Sequence, residues 1–114
     1  MKNDNKENIH LDGIKVSTTF SGIKKTPDNE HDILLVQFDK PCSIAGVFTK
    51  SLTSSAPVNQ CRRNLSFSKE ATVRAIVVNS GNANAFTGKL GEETVSKISK
   101  FLSKLLKSNT NQIH

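Results

Sequence analysis

An Asn-rich loop is the segment of this sequence whose residue types come nearest to a ligand-binding pattern. Asn79, Ser80, Asn82 and Asn84 lie within six positions, directly after a β-branched run and with Gly81 among them. Their amide and hydroxyl groups both donate and accept hydrogen bonds. Because the loop leaves the carboxyl end of a predicted central strand, these four are the polar side chains predicted to lie closest to a substrate site. The alternative is that Asn and Gly stand here because they tolerate the left-handed backbone conformations of a loop.

The same segment resembles a nucleotide-binding turn, because a predicted strand runs into a Gly-containing loop and Gly88-Lys89 opens a helix. The phosphate-binding loop requires G-x-x-x-x-G-K-[ST]. Six residues separate Gly81 from Gly88, and Leu90 stands where the hydroxyl is needed. These departures exclude the motif and leave the weaker expectation that the positive end of the helix holds an anion or carboxylate.

No complete catalytic or metal site is visible in the sequence. Nucleophilic catalysis needs a hydroxyl or thiol beside a base. Cys42 and Cys61 have no neighbouring His, although His31 could approach either of them in space. Zinc sites have closely paired ligands such as C-x₂₋₄-C, whereas Cys and His are dispersed here. Free thiols and no metal are the expectation.

The composition predicts one compact unit with a thin core. The chain has 114 residues, of which 35% are hydrophobic, and its aromatic residues are six Phe with neither Trp nor Tyr. No apolar run approaches the roughly 18 residues that a membrane span requires. Residues 1–10 are polar and include Asp4 and Glu7, which fits neither a secretory signal nor a transit peptide. A cytoplasmic protein with no membrane partner is expected.

The charge balance is basic. Lys and Arg number 16 against 10 Asp and Glu, which gives a net charge of +6. The lysines are spread along the chain without the interleaved aromatic residues that single-strand binders use for stacking, so nucleic acid is not expected as a partner. The rival interpretation is a small, basic, non-enzymatic binding module that presents a lysine-rich helix face to an acidic partner or nucleic acid.

Hydrophobic periodicity predicts an α+β structure, with a mixed or antiparallel sheet packed against helices. Residues 14–20 alternate and predict a half-buried strand, whereas residues 33–38 are a nearly continuous apolar run and predict a buried one. Residues 43–49 are predicted as a third strand in a hairpin with the second. The β-branched residues 72–78 predict the central strand. Turns or extended connections are expected at residues 26–29 and 56–58, with a short helix within 59–70.

The most secure element is a helix over residues 88–108. One face carries Leu90, Val95, Ile98, Phe101, Leu102, Leu105 and Leu106, and the other carries Lys97, Lys100, Lys104 and Lys107. The apolar face is predicted to pack on the sheet. Most of the core is expected to come from Ile33, Leu35, Val47, Phe48, Ile76, Val78, Val95, Ile98, Phe101, Leu102 and Leu105. Beyond the helix, Ile113 is expected to begin another buried strand.

Three motifs resemble segments of a known enzyme family and occur along the chain in the same order as in that family. The first is residues 74–85 (RAIVVNSGNANA) followed by Thr87-Gly88, the second is residues 46–49 (GVFT) followed by 56–58 (APV), and the third is residues 22–25 (GIKK). All three are similar to segments of the bifunctional glutamate N-acetyltransferase/ornithine acetyltransferase family of arginine biosynthesis.

The resemblance implies a fold and a reaction. Members of this family form an αββα sandwich, of which this chain would be a part. The intact enzyme would transfer an acetyl group from N-acetylornithine to glutamate through an acetyl-Thr intermediate, a form of covalent nucleophilic catalysis. The reaction needs no cofactor, and some members also accept acetyl-CoA. Phe86 stands where the family usually has Cys, which indicates a divergent member.

The resemblance also implies that this chain is the amino-terminal part of such an enzyme. The family's nucleophilic Thr, at which its members cut themselves into two subunits, and its oxyanion-stabilising Thr-Gly pair correspond to positions beyond His114. No catalytic residue is therefore assigned within the chain, which is expected to be inactive alone and to need the remainder of the enzyme as its partner. The expected organisation is a polar tail over residues 1–12, an α+β domain or part-domain over 13–108, and a truncated segment over 109–114.

Overall fold

The part of the chain that the structure describes has two α-helices and one three-stranded sheet. The computed structural model describes residues 10–23, 30–67, 69–85 and 87–114. Its elements are β1 (Ile14–Thr19), β2 (Ile33–Ser43), α1 (Ala56–Ser66), β3 (Thr72–Asn79), α2 (Gly88–Leu106) and a 3₁₀ turn (Thr110–Gln112). The predicted α+β class is confirmed. The turn predicted at residues 26–29 lies outside the described residues.

The sheet places the start of the Asn-rich loop beside the ends of two other strands. The strand order is β1-β2-β3, and both pairs of neighbours are antiparallel. Thr19 pairs with Ile33, and Ile33 pairs with Asn79 on its other side. The carboxyl ends of β1 and β3 and the amino end of β2 therefore lie at one end of the sheet.

β3, predicted as the central strand, is instead an edge strand of the three-stranded sheet, because β2 lies between β1 and β3. The outer side of β3 carries one isolated parallel bridge, from Ala75 to Ile113. The His114 nitrogen donates to the Ala75 oxygen at 2.9 Å, and the Val77 nitrogen donates to the His114 oxygen at 2.7 Å. Ile113 is only 2% exposed. The chain thus begins to pair as a buried strand at Ile113, as predicted.

The predicted third strand over residues 43–49 is also wrong, as is its hairpin with β2. β2 itself continues through Pro41 to Ser43, and Cys42 pairs with Val73 of β3 after a register shift between Gln37 and Cys42. Proline has no N–H with which to continue a ladder, which explains the irregular pairing around it. Residues 44–50 have no regular structure.

The helices differ from the predictions mainly at their ends. Residues 56–58, predicted as extended, form the first turn of α1, where the missing N–H of Pro57 leaves no helical hydrogen bond unmade. The short helix expected within residues 59–70 is therefore present but starts earlier. α2 begins at Gly88 as predicted and ends at Leu106 rather than Ser108, because Lys107 adopts the left-handed conformation (φ 51°) that terminates helices.

The core is smaller than predicted and differently composed. Among the described residues, the buried apolar side chains are Ala56, Val73, Ala75, Leu102 and Ile113. Of the eleven predicted core residues, only Leu102 is among them. Exposure is high for five of the others: Val47, Val78, Ile98, Phe101 and Leu105. Ile33, Leu35, Phe48, Ile76 and Val95 are half-buried. β1 is likewise mostly exposed rather than half-buried.

The open face of the sheet accounts for part of this difference. Successive side chains of a strand point to opposite faces, and Ala75 and Val77 of β3 belong to the core cluster with Leu102 of α2. The alternate positions form the other face, on which Val16 pairs with Val36 and Val36 pairs with Ile76. Val16 is 61% exposed. The helices therefore cover one face and leave the other open among the described residues.

Candidate functional site

The Asn-rich loop is held in shape by its own side chains. The Asn79 amide nitrogen donates to the Asn82 backbone oxygen, and the Asn82 amide oxygen accepts from the Asn84 backbone nitrogen at 2.9 Å. Gly81 has φ 96° and Asn84 has φ 48°, in the region that Gly and Asn tolerate best. The conformational interpretation of these residues is therefore correct for part of the loop. The hydrogen bonds that shape the loop do not use the Ser80 hydroxyl, the Asn82 amide nitrogen or the Asn84 side-chain amide.

Both ends of the loop are tied to neighbouring elements. At its start, the Ser80 nitrogen donates to the Asp32 backbone oxygen at 2.8 Å. At its end, the Asn84 backbone oxygen accepts from the Thr87 hydroxyl at 2.9 Å and from the Ala56 nitrogen at 3.5 Å. The loop is thus fixed between the sheet and the amino ends of both helices.

Two of the four predicted loop residues line a cavity of about 70 Å³ between β3 and the helices. Asn79 and Asn84 contribute to its wall together with Gln60, Cys61 and Ser99. Ser99 is 5% exposed, and its hydroxyl accepts a hydrogen bond from the Gln60 amide nitrogen, which joins α1 to α2. The structure therefore brings Asn79 and Asn84 together at this cavity.

The amino ends of α1 and α2 meet in a second, more open cleft of about 390 Å³. Asn84, Thr87, Lys89 and Glu92 are among its lining residues. Neither helix has a side-chain hydrogen bond from its N-cap residue. The expectation that the positive end of α2 holds an anion stays a prediction, and the Glu92 carboxylate in the same wall opposes it.

In the described part of the chain no hydrogen bond joins a thiol to an imidazole, although Cys61 and His114 both line the cavity of about 70 Å³. Cys42 and Cys61 are both free. Burial raises the pKa of the Cys61 thiol, which keeps it protonated and weakly nucleophilic near neutral pH. His31 lies on the surface, with Nδ1 at 2.5 Å from the Thr18 hydroxyl. Burial lowers the pKa of His114, although backbone oxygens of Thr72 and Asn111 oppose that shift.

In the described ranges, no three His, Cys, Asp or Glu side chains lie close enough together to hold a metal ion. None of the helices described is long and apolar enough to cross a membrane.

Sequence reasoning missed Asp32, a buried residue that is bonded through its backbone to Ser80 at the start of the loop. It is 2% exposed. Its Oδ1 accepts from the Ser21 nitrogen at 2.7 Å and from the Ser21 hydroxyl at 2.8 Å, and its Oδ2 accepts from the Ile23 nitrogen at 2.7 Å. The available signal was an Asp directly before an apolar run and after a Ser-Gly pair, a pattern too common to single out.

Comparison with known proteins gives a consistent result. The family model described as the ArgJ family matches residues 15–114. The arginine biosynthesis bifunctional protein ArgJ of Rhizobium meliloti is 53% identical over 83 residues, which are 73% of this chain and 19% of that protein. The protein of the same name from Bartonella henselae is 45% identical over 103 residues, which are 90% of this chain and 24% of that protein. This chain therefore spans about a fifth to a quarter of the length of the curated relatives it matches.

Solved structures agree with these sequence matches. An ornithine acetyltransferase from Mycobacterium tuberculosis, crystallised with ornithine, matches with a TM-score of 0.72 and 29% identity, over 90% of this chain and 53% of that one. The ArgJ protein of Bacillus halodurans matches with a TM-score of 0.78 at 24% identity, over 90% of this chain and 51% of that one, and supports the fold. The family model covers nearly the whole chain, and the chain belongs to the ArgJ family.

Proposed function

We propose that this chain is the amino-terminal part of an arginine-biosynthesis acetyltransferase, which transfers an acetyl group from N-acetylornithine to glutamate. The observation that carries the proposal is the family match over residues 15–114. The names of the relatives, which include arginine biosynthesis and ornithine acetyltransferase, support the substrate class. Glutamate, N-acetylornithine and, as a further acetyl donor, acetyl-CoA are the proposed small-molecule partners. A cytoplasmic location is part of the same proposal.

In the proposed reaction a Thr outside residues 1–114 carries the acetyl group, as the family resemblance implies. This chain contributes one wall of the site rather than the nucleophile. The Ser80 hydroxyl, the Asn82 amide nitrogen and the Asn84 amide are the loop groups that supply hydrogen bonds to substrate. Neutral donors and acceptors of this kind suit an amide and an amino acid, which carry both kinds of group.

The remainder of the enzyme is the proposed partner. Large apolar side chains are exposed on both sides of the sheet: Val16 and Val78 lie on the open face, and Phe101 and Leu105 lie on α2 at 67% and 63% exposure. Monomeric proteins rarely leave extended apolar patches in water. These surfaces support a role for further polypeptide in covering the sheet and completing the site.

The proposal is tested by mixing residues 1–114 with the separately produced downstream portion of the same enzyme. N-acetylornithine and glutamate are added, and N-acetylglutamate is measured by mass spectrometry. We expect product from the mixture and none above the uncatalysed rate from residues 1–114 alone. Product from the chain alone would overturn the assignment of the nucleophile to the downstream portion. A mixture that binds but forms no product would overturn the proposed reaction.

A further inference from the structure

We propose that Asp32 is a positioning residue for the substrate loop, and that it couples the Ser21–Ile23 turn to the Asn79–Asn84 loop. This inference rests on the proposed function, because it assigns a role within the same site. It concerns a residue outside the loop that is not among the lining residues of the cavity that Asn79 and Asn84 border.

The first support is the bonding of the Asp32 carboxylate. A buried carboxylate is costly unless donors surround it, and Asp32 at 2% exposure accepts from the Ser21 nitrogen, the Ser21 hydroxyl and the Ile23 nitrogen. Hydrogen bonds to an ionised acceptor are about twice as strong as neutral ones. The carboxylate therefore fixes the path of the chain through Ser21–Ile23.

The second support is the backbone of the same residue. The Asp32 nitrogen donates to the Thr19 oxygen at 3.0 Å, and the Asp32 oxygen accepts from the Ser80 nitrogen at 2.8 Å. One residue thus joins the end of β1, the turn that follows it and the first residue after β3. A displacement of Asp32 must move the Ser80 end of the loop.

Asp32 lies at the end of the sheet where both the turn and the substrate loop begin, so a shift of Asp32 changes how the two are placed. The Ser21–Ile23 turn and the Asn79–Asn84 loop leave the sheet at the same end, because Ile33 pairs with Thr19 on one side and with Asn79 on the other. The two segments form adjacent parts of one rim, and Asp32 lies between them. Its role is to set the distance between that turn and the loop hydrogen-bonding groups.

The Asp32→Asn variant tests the role with nearly unchanged side-chain volume. An amide keeps one accepting oxygen but presents an NH₂ group toward an N–H donor, so the hydrogen bonds at one of the two oxygens are lost. The matched control is Asp39→Asn on β2, the strand that Asp32 directly precedes. Asp39 is exposed, and its carboxylate pairs with Lys15 at 3.4 Å toward the other end of the sheet.

Kinetics of the assembled enzyme, with residues 1–114 combined with the downstream portion, separate positioning from folding. Displacement of a substrate-binding group costs about tenfold or more, so we expect Asp32→Asn to raise the KM for N-acetylornithine about tenfold and Asp39→Asn to leave it unchanged. A purely structural defect lowers the amount of active enzyme, so kcat falls at an unchanged KM. An unchanged KM in Asp32→Asn would overturn the inference.

Ser21→Ala keeps the test decisive if Asp32→Asn does not fold. It removes the hydroxyl donor to Oδ1 and leaves the carboxylate and both backbone donors in place. We expect a smaller rise in KM, about threefold, and shifts in the NMR amide signals of Ser80 and Asn82. A KM and loop signals equal to those of the unmodified chain would overturn the coupling. An unmodified enzyme without activity would instead overturn the proposed function.

Discussion

Leu102→Ala probes the small core on which the account of the fold rests. Leu102 is 8% exposed and belongs to the buried cluster with Ala75 and Ile113. The substitution removes three carbon atoms, and at about 0.8 kcal/mol for each buried carbon the transfer term is about 2.4 kcal/mol. Leu102 also borders an open cleft of about 570 Å³. The vacated space therefore opens to water, and the additional cavity penalty seen in enclosed cores stays small.

We expect a loss of about 2–3 kcal/mol in the free energy of unfolding, from the low part of the range for Leu→Ala in cores. The matched control is Leu105→Ala on the same helix, because Leu105 is 63% exposed. Its loss is expected below about 0.5 kcal/mol, as for surface substitutions. Urea unfolding of both variants and the unmodified chain, followed by circular dichroism at one protein concentration, measures the differences. Equal losses for the two variants, or a loss below about 0.5 kcal/mol for Leu102→Ala, would refute this account of the core.

Three further predictions follow from exposure and protonation. Residues 1–114 alone are expected to bind a hydrophobic dye and to self-associate through uncovered apolar surface. A chain that stays monomeric by light scattering at all concentrations and does not raise the dye fluorescence would contradict this. Iodoacetamide is expected to alkylate Cys42 faster than Cys61 at pH 8, since burial raises the pKa of Cys61; equal rates in the two single Cys→Ser variants would disprove it. Burial lowers the folded-state pKa of His114 below its ordinary value of 6.5, so the unfolded state takes up the proton first and stability should fall as the pH drops below that value. His114→Gln should flatten this pH dependence of urea unfolding, and an unchanged slope would exclude His114 as its source.

Local patterns predicted the long elements well. Period-two alternation and a continuous apolar run located β1 and β2, and the helical spacing of Leu102 and its neighbours located α2. The same patterns failed to identify the core, because periodicity shows which side of an element is apolar and not whether another element covers it. Phe101 and Val78 have the right spacing for burial, yet the described residues leave both exposed.

The wrong predictions for the segments that connect the long elements have a different cause. The prediction that residues 56–58 are extended fails because proline also starts helices, and only the turn that follows decides between the two. The strand predicted over residues 33–38 is too short, because the register shift lets β2 pass Pro41 and pair again at Cys42. Asp32 was missed because its importance depends on Ser21 and Ser80, which the sheet brings close from distant positions in the chain.

The dependence of acetyl transfer on residues 1–114 decides whether this chain is part of the catalytic unit. A fixed amount of the downstream portion is titrated with increasing amounts of this chain, and N-acetylglutamate formed from N-acetylornithine and glutamate is measured at each step. We expect an activity that rises with the added chain and reaches a plateau at one chain per downstream portion. Full activity without the chain, or none at any ratio when the two portions bind each other, would contradict it.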